Sequence, residues 1–343
     1  MVYYGSYRRN LYMKRYAALF PVVGCLFILL SCTGKVPAAV AGKDAGKKII
    51  VGFSQIGAES AWRTCNTKSV RDAARDAGIQ LVYENAEQKQ ENQIKAIRSF
   101  IVYQVDVIVF VPIVADGWDT VLREAKEARI PVLIIDRKIN TEDESLYAGF
   151  VGTDSVEEGR KCARFLQRKF HTKNGAPVRK KYRIFEIRGT EDSSPAIGRA
   201  AGFREVLSRD PAFEIIGSES GDFLRSLGKE VLSHALDRYG GIDIIYSHND
   251  GMTLGVLDEL DARHINAGRD ICIVSIDAEQ AAINALKSGK INCVVECNPF
   301  LGPMVMDMAK TLAAGGSIPR LVHVHETEFD ENTDLSQLPP RGY

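Results

Sequence analysis

Ile49-Ile50-Val51-Gly52-Phe53-Ser54-Gln55 is a short, continuous apolar run that ends in two hydrogen-bonding side chains. Continuous rather than alternating apolar residues predict a strand buried on both faces, the pattern of a parallel sheet covered by helices. Similar runs recur at 79–83, 107–111, 132–135 and 147–151, and a second series follows at 182–187, 213–218, 242–246, 271–276 and 292–295. Between them lie polar or glycine-bearing loops and stretches with helical periodicity. In one of these, over 91–100, Ile94, Ile97 and Ile101 fall on one face. Asp116 is the expected N-cap of the next helix, and Pro131 ends that helix before another strand. Alternating strands and helices predict right-handed βαβ units, hence an α/β fold of doubly wound parallel sheets. Ten strands exceed a comfortable single sheet, so two lobes of about five strands each are expected.

The remaining composition fits this reading. The chain has 343 residues, 45% of them hydrophobic and 26% charged, the profile of a globular protein with a sizeable core. Its 44 basic and 44 acidic side chains cancel, so it lacks the basic surplus of a nucleic-acid binder. Ahead of the repeating units, Lys14-Arg15 precede an apolar run over 16–30 that is interrupted by Pro21 and Gly24. This reads as the core of an export signal, with Met1 or Met13 as its start. The run ends in Leu29-Leu30-Ser31-Cys32, a lipobox pattern that makes Cys32 the lipidated residue and 33–47 a tether; the alternative is a plain signal peptide cut near Ala38, Ala39 or Ala41.

Cys65, Cys162, Cys272, Cys293 and Cys297 are expected as mostly buried thiols. Their number is odd, and residues four apart in a strand stand roughly 13 Å apart, too far for a bridge between Cys293 and Cys297. His323 and His325 are expected on a solvated sheet face. No metal site is read from any of these spacings, and no cofactor is implied.

Ligands of open α/β sheets bind beyond the carboxyl ends of the strands. There the sequence delivers Ser54, then Glu59-Ser60-Ala61-Trp62-Arg63, Asp136-Arg137, a loop running from Arg188 to Arg199, Asp222-Phe223, Asn249-Asp250, Asp277 and Glu296. Carboxylates, amides and guanidinium groups in such a set supply the paired donors and acceptors that sugar hydroxyls need, and Trp62 and Phe223 are candidate walls for the C–H faces of a sugar ring. Taken singly, a strand-end Asp is as readily a helix cap and Trp62 as readily a core residue. Enzyme signatures are missing: Gly52-Phe53-Ser54-Gln55-Ile56-Gly57 has the wrong spacing for a dinucleotide loop, no P-loop or nucleophile elbow occurs, and His248 has no serine or cysteine placed to pair with it.

From Lys48 to Tyr343 the chain resembles the ribose/galactose-type periplasmic binding proteins of ABC transporters, and among them the galactofuranose-binding subgroup. The resemblance rests on Val51-Gly52-Phe53-Ser54-Gln55, Glu59-Ser60-Ala61-Trp62-Arg63, Gln88-Lys89-Gln90-Glu91-Asn92-Gln93-Ile94-Lys95-Ala96, Asp136-Arg137, Gly221-Asp222-Phe223, His248-Asn249-Asp250 and Ser275-Ile276-Asp277. It implies two lobes joined by a three-segment hinge, with 48–151 and 297–325 in one lobe and 152–296 and 326–343 in the other. It implies a monomeric, exported receptor that closes on a monosaccharide, galactofuranose or a related hexose, and presents it to a transporter permease, held to the membrane through its lipid anchor alone. A sensor that presents sugar to a chemoreceptor or histidine kinase would use the same core. Trp62 would stack on the sugar. Arg63, Asp136 and Arg137 would grip it from one lobe, and Arg199, Asn249 and Asp277 from the other. Phe223 would be the second wall, and Glu296 would stand near the hinge. Ile197 occupies the place of a ribose-binding arginine, which argues against ribose itself, and Glu191-Asp192-Ser193-Ser194-Pro195 is more polar than the subgroup's loop.

Overall fold

In a computed structural model, which describes residues 48–172 and 181–343, Ile50–Gln55 is strand β1, with Val51 and Phe53 fully buried. Gly52 lies between them because a Cβ there would meet the Phe100 ring at 2.5 Å. The chain continues as α1 (Ala61–Asp76), β2 (Gln80–Asn85), α2 (Gln90–Val102), β3 (Val107–Phe110), α3 (Asp119–Glu127), β4 (Val132–Asp136) and β5 (Gly149–Gly152). A second series comprises α4 (Ser155–Phe170), β6 (Tyr182–Arg188), α5 (Ser194–Leu207), β7 (Phe213–Ser220), α6 (Arg225–Tyr239), β8 (Ile244–Ser247), α7 (Asp250–Ala262), β9 (Cys272–Asp277), α8 (Gln280–Lys287) and β10 (Cys293–Glu296). The chain then returns through α9 (Gly302–Ala313), β11 (Leu321–His323) and β12 (Glu328–Asp330).

Two six-stranded sheets result, in the orders β11-β5-β4-β3-β1-β2 and β12-β10-β9-β8-β6-β7. All pairs are parallel except β10 with β12. All ten expected apolar runs are strands, but each sheet has six strands rather than five. The extra two are three-residue edge strands from the C-terminal segment, too short to carry an apolar pattern. The central strands are buried on both faces, whereas edge strands β2 and β7 are half exposed.

Each sheet is covered by helices. In the first lobe α1 packs with α9 and α2 with α3; in the second, α4 with α5 and α6 with α7. One local expectation fails. Helix α3 starts at Asp119 behind Trp118, and Asp116 does not cap it. The Asp116 carboxylate accepts instead from Asn140 Nδ2 at 3.1 Å, while Trp118 is driven inward against Phe110, its indole N–H donating to Val114 O at 2.8 Å.

The chain passes between the sheets three times: after β5, after β10, and between β11 and β12. Hydrogen bonds tie these passages together, with Val324 N donating to Gly152 O at 2.9 Å, Glu296 N to Thr327 O at 2.7 Å and Asn298 N to Glu326 Oε1 at 3.3 Å. All five cysteines beyond residue 47 are free and buried. Cys162, Cys272 and Cys293 pack in the second lobe's apolar cluster, whereas the Cys297 Sγ also lies 4.0 Å from Thr153 Oγ1. His325 is exposed, and the His323 ring lies between Lys138 Nζ at 3.2 Å and Asp154 Oδ2 at 3.4 Å. The expectations on Cys32 and on 1–47 lie outside the described residues.

Candidate ligand-binding cleft

Between the carboxyl ends of the two sheets lies a narrow cleft. The first lobe lines it with Glu59, Ser60, Trp62, Arg63, Asp136 and Arg137. The second contributes Pro195, Arg199, Phe223, Asn249 and Asp277, and Cys297 stands at a lobe crossing. Three arginines thus face three carboxylates in a site that is almost entirely buried.

The first-lobe half is built on the start of α1. Ser60 caps the helix, its Oγ accepting from Arg63 N at 3.1 Å, which aims Arg63 back across the strand ends. Arg63 then donates to Glu59 Oε1 at 2.9 Å and to Asp136 Oδ2 at 2.7 Å. Arg137 donates to Ile113 O at 3.0 Å, and its Nη2 lies 3.9 Å from Glu59 Oε1. Two buried atoms here find no partner among the described residues: Arg137 Nε and Glu59 Oε2. Burial, followed by repulsion from Arg63, brings the Arg137 guanidinium down to about 10. Burial alone would raise Glu59, but the Arg63 and Arg137 charges outweigh it and hold the carboxyl below its usual range.

The second-lobe half is organised around Arg199. Its Nε donates to Glu158 Oε2 at 2.6 Å, its Nη1 donates to His248 O, and its Nη2 lies 3.8 Å from Asp277 Oδ1. Asn249 caps α7 by accepting from Met252 N at 3.0 Å while its amide donates to Phe223 O at 3.3 Å, so it is both cap and lining. The Phe223 ring carries Arg137 on one approach at 5.2 Å and Arg199 at 5.9 Å. It sits over Gly189, where a Cβ would meet the ring at 1.9 Å. Burial, against the pull of Arg199, drives Asp277 well above the normal carboxylate range, with Asp250 and Glu279 adding repulsion. Asp136, Asp222, Phe223 and Asp277 all have positive φ (64°, 51°, 62° and 131°), backbone strain gathered at the cleft.

Eight of the ten expected ligand residues therefore line one cavity. Ser54 and Glu296 do not. Ser54 is fully buried beneath the strand end, and the Glu296 carboxylate is occupied by Arg341 and by Thr327 N at 3.0 Å. Ile197 is half exposed and outside the cleft, with Arg199 inside it. His248 is fully buried against Glu186 at 3.2 Å, away from the cleft wall. Trp62 is more than a wall: its Nε1 donates to Cys297 O at 2.6 Å, its ring carries Arg63 at 4.7 Å, and it packs into the second lobe's apolar cluster. The sequence reading assigns no role to Glu59, although it stands one helical turn before Arg63, the spacing that marks an ion pair. Pro195 and Cys297 carried no such signal.

Further hydrogen bonds hold the lobes together around the cleft. Ala115 N donates to Asp192 O at 2.9 Å, Lys138 N to Ser194 Oγ at 2.7 Å and Trp62 N to Glu279 Oε1 at 3.1 Å. The polar loop before Pro195 thus supplies two of these three acceptors.

This two-lobed arrangement agrees with the sequence comparison, in which residues 51–317 match the periplasmic binding protein domain family. The chain belongs to that family. This periplasmic binding protein is 38% identical over 307 residues to the galactofuranose-binding protein YtfQ of Escherichia coli (strain K12), covering 88% of this chain and 94% of the other. A crystal structure from Mycobacterium smegmatis in complex with β-D-fucofuranose superposes with a TM-score of 0.80 at 43% identity, covering 82% of this chain and 91% of that one. The binding protein of the arabinose ABC transporter from Shewanella sp. ANA-3, bound to α- and β-L-arabinofuranose, gives a TM-score of 0.77 at 38% identity, covering 82% and 92%. The family places the protein outside the cytoplasmic membrane, in the periplasm.

Proposed function

We propose that this protein is the sugar receptor of an ABC importer and that its cleft takes a monosaccharide in the furanose form. The observation that carries the reading is a pair of buried, unpartnered atoms, the acceptor Glu59 Oε2 and the donor Arg137 Nε, on two residues that line one cavity. A buried polar atom without a partner costs free energy, and a sugar hydroxyl, which both donates and accepts, satisfies either. The names of the relatives favour the furanose ring: galactofuranose, fucofuranose and arabinofuranose are their ligands.

In this reading Arg63, Asp136 and Arg137 grip hydroxyls from one lobe. Arg199, Asn249 and Asp277 grip from the other, and Trp62 and Phe223 wall the ring. Sugar binding at micromolar affinity supplies about 8 kcal/mol, enough to drive closure and report loading to a permease. The protein binds without transforming its ligand, acts as a monomer, and is tethered by lipid on Cys32. Mass spectrometry of the membrane-extracted chain checks that tether, which a mature protein starting beyond Cys32 would refute.

The direct test is thermal denaturation with L-arabinose, D-fucose, D-galactose and D-ribose. At a hundred times its dissociation constant a ligand stabilises by about 2.7 kcal/mol. Stabilisation by the first three above ribose is expected, and no shift with any sugar overturns the assignment.

A further inference from the structure

The three lobe crossings do more than carry the chain. Each brings one potential metal ligand to the same buried spot. Glu158 lies on the first turn of α4, just past the first crossing; Cys297 is in the second and Glu326 in the third. One carboxylate oxygen from each glutamate and the Cys297 Sγ all lie within 4.8 Å of one another. The three residues are 1%, 3% and 6% exposed.

Glu158 gives a second, independent indication. Arg199 occupies its Oε2, but its Oε1 is buried and accepts no hydrogen bond among the described residues. A buried carboxylate oxygen without a donor is costly, and a cation beside it removes that cost. We propose that Glu158, Cys297 and Glu326 bind a thiophilic divalent cation of the zinc class, which pins the three crossings to one another.

The donor set favours this class. One thiolate with two carboxylates suits zinc, whereas magnesium and calcium take oxygen alone. Zinc–sulfur bonds of about 2.3 Å and zinc–oxygen bonds of about 2.0–2.2 Å hold tetrahedral ligands roughly 3.5 Å apart. Contraction of the cluster by up to about 1.3 Å, from 4.8 Å, reaches that spacing. The charges nearby are Arg199, held on the other Glu158 oxygen, Lys161, which donates to Glu326 O at 2.7 Å, and the Asp277 carboxyl, 3.8 Å from Arg199.

The ion and the sugar would be coupled, because Arg199 touches both Glu158 and the cleft. The site does not depend on the sugar reading, and its test uses metal alone. The full chain, stripped with a chelator, is titrated with Co²⁺ and followed by near-ultraviolet absorption. A saturable thiolate-to-cobalt band at one equivalent, displaced by Zn²⁺, is expected. Cys297→Ser should abolish it, and Glu326→Gln, which keeps size and removes charge, should weaken Co²⁺ at least tenfold. Absence of the band in the unaltered chain overturns the proposal. So does a band that survives both substitutions, which would put the cobalt on another thiol.

Discussion

Arg63→Met tests the electrostatic core of the cleft. Arg63 holds Glu59 and Asp136 at once, and all three side chains are at most 5% exposed. Removing one partner of a buried pair costs about 3–5 kcal/mol. Two factors keep the present cost inside that range although two carboxylates lose their partner. Arg137 remains 3.9 Å from Glu59, and each orphaned carboxyl can escape its charge by protonation. Protonating a group of ordinary pKa near 4 at pH 7 costs about 4 kcal/mol, which sets the ceiling per group. The melting temperature should fall by about 6–10 °C, at about 2 °C per kcal/mol for a chain of this size.

The pH dependence separates this mechanism from simple loss of packing. In the parent chain Glu59 is depressed, so its contribution is present above pH about 4.3 and is lost as pH falls through the folded value. In the variant the sign reverses, because burial without Arg63 raises the carboxyl and acid relieves the defect. Chemical denaturation at pH 7 and pH 5 should show the deficit shrinking by about 2 kcal/mol. A deficit below about 1 kcal/mol at pH 7, or one unchanged at pH 5, would refute the argument.

Other substitutions probe the remaining parts. Asp136→Ala and Arg137→Ala should each weaken sugar binding by about 2 kcal/mol or more in calorimetry, since each strands a buried partner. Gly189→Ala should displace the Phe223 ring, which lies 1.9 Å from the new Cβ position, and lower sugar affinity at least tenfold while the second sheet stays folded by circular dichroism. Glu186 is held down at about 2, burial notwithstanding, by His248, Arg204 and Ser218. Its stabilisation is therefore present above pH about 4.3 and fades as pH falls toward 2, so denaturation should find Glu186→Gln less stable at pH 7 and nearly equal to the parent at pH 2.5. Removal of Arg341-Gly342-Tyr343 deletes the bonds to Glu296, to Ala278 O at 3.1 Å and to Asp277 O at 3.0 Å. It should loosen Asp277, weakening sugar binding more than it lowers the melting temperature.

The local patterns of the sequence determined the strands, the helices between them and the strand ends at which a ligand would sit. An apolar run buried on both faces is a local signal, and so is the polar residue that follows it. That is why Asp136, Arg137, Phe223, Asn249 and Asp277 were legible as a set before any packing was known. Local signals also misled where two residues competed for one role: Asp116 looked like a helix cap, but burial of Trp118 moved the helix start to Asp119.

Tertiary structure alone decided the rest, because it depends on which distant segments meet. Ser54 and Glu296 stand at strand ends like the others, yet one is fully buried and does not line the cleft, and the other is taken by Arg341, forty-five residues away. Glu59 became part of the grip only when Arg63 and Arg137 converged on it, and Cys297 reached the cleft only through the lobe crossing. The strands β11 and β12 are too short to have a pattern; they exist because the edges of β5 and β10 offer backbone partners. The meeting of Glu158, Cys297 and Glu326, up to 168 positions apart in the chain, is likewise a property of three crossings lying side by side, which no spacing along the sequence encodes.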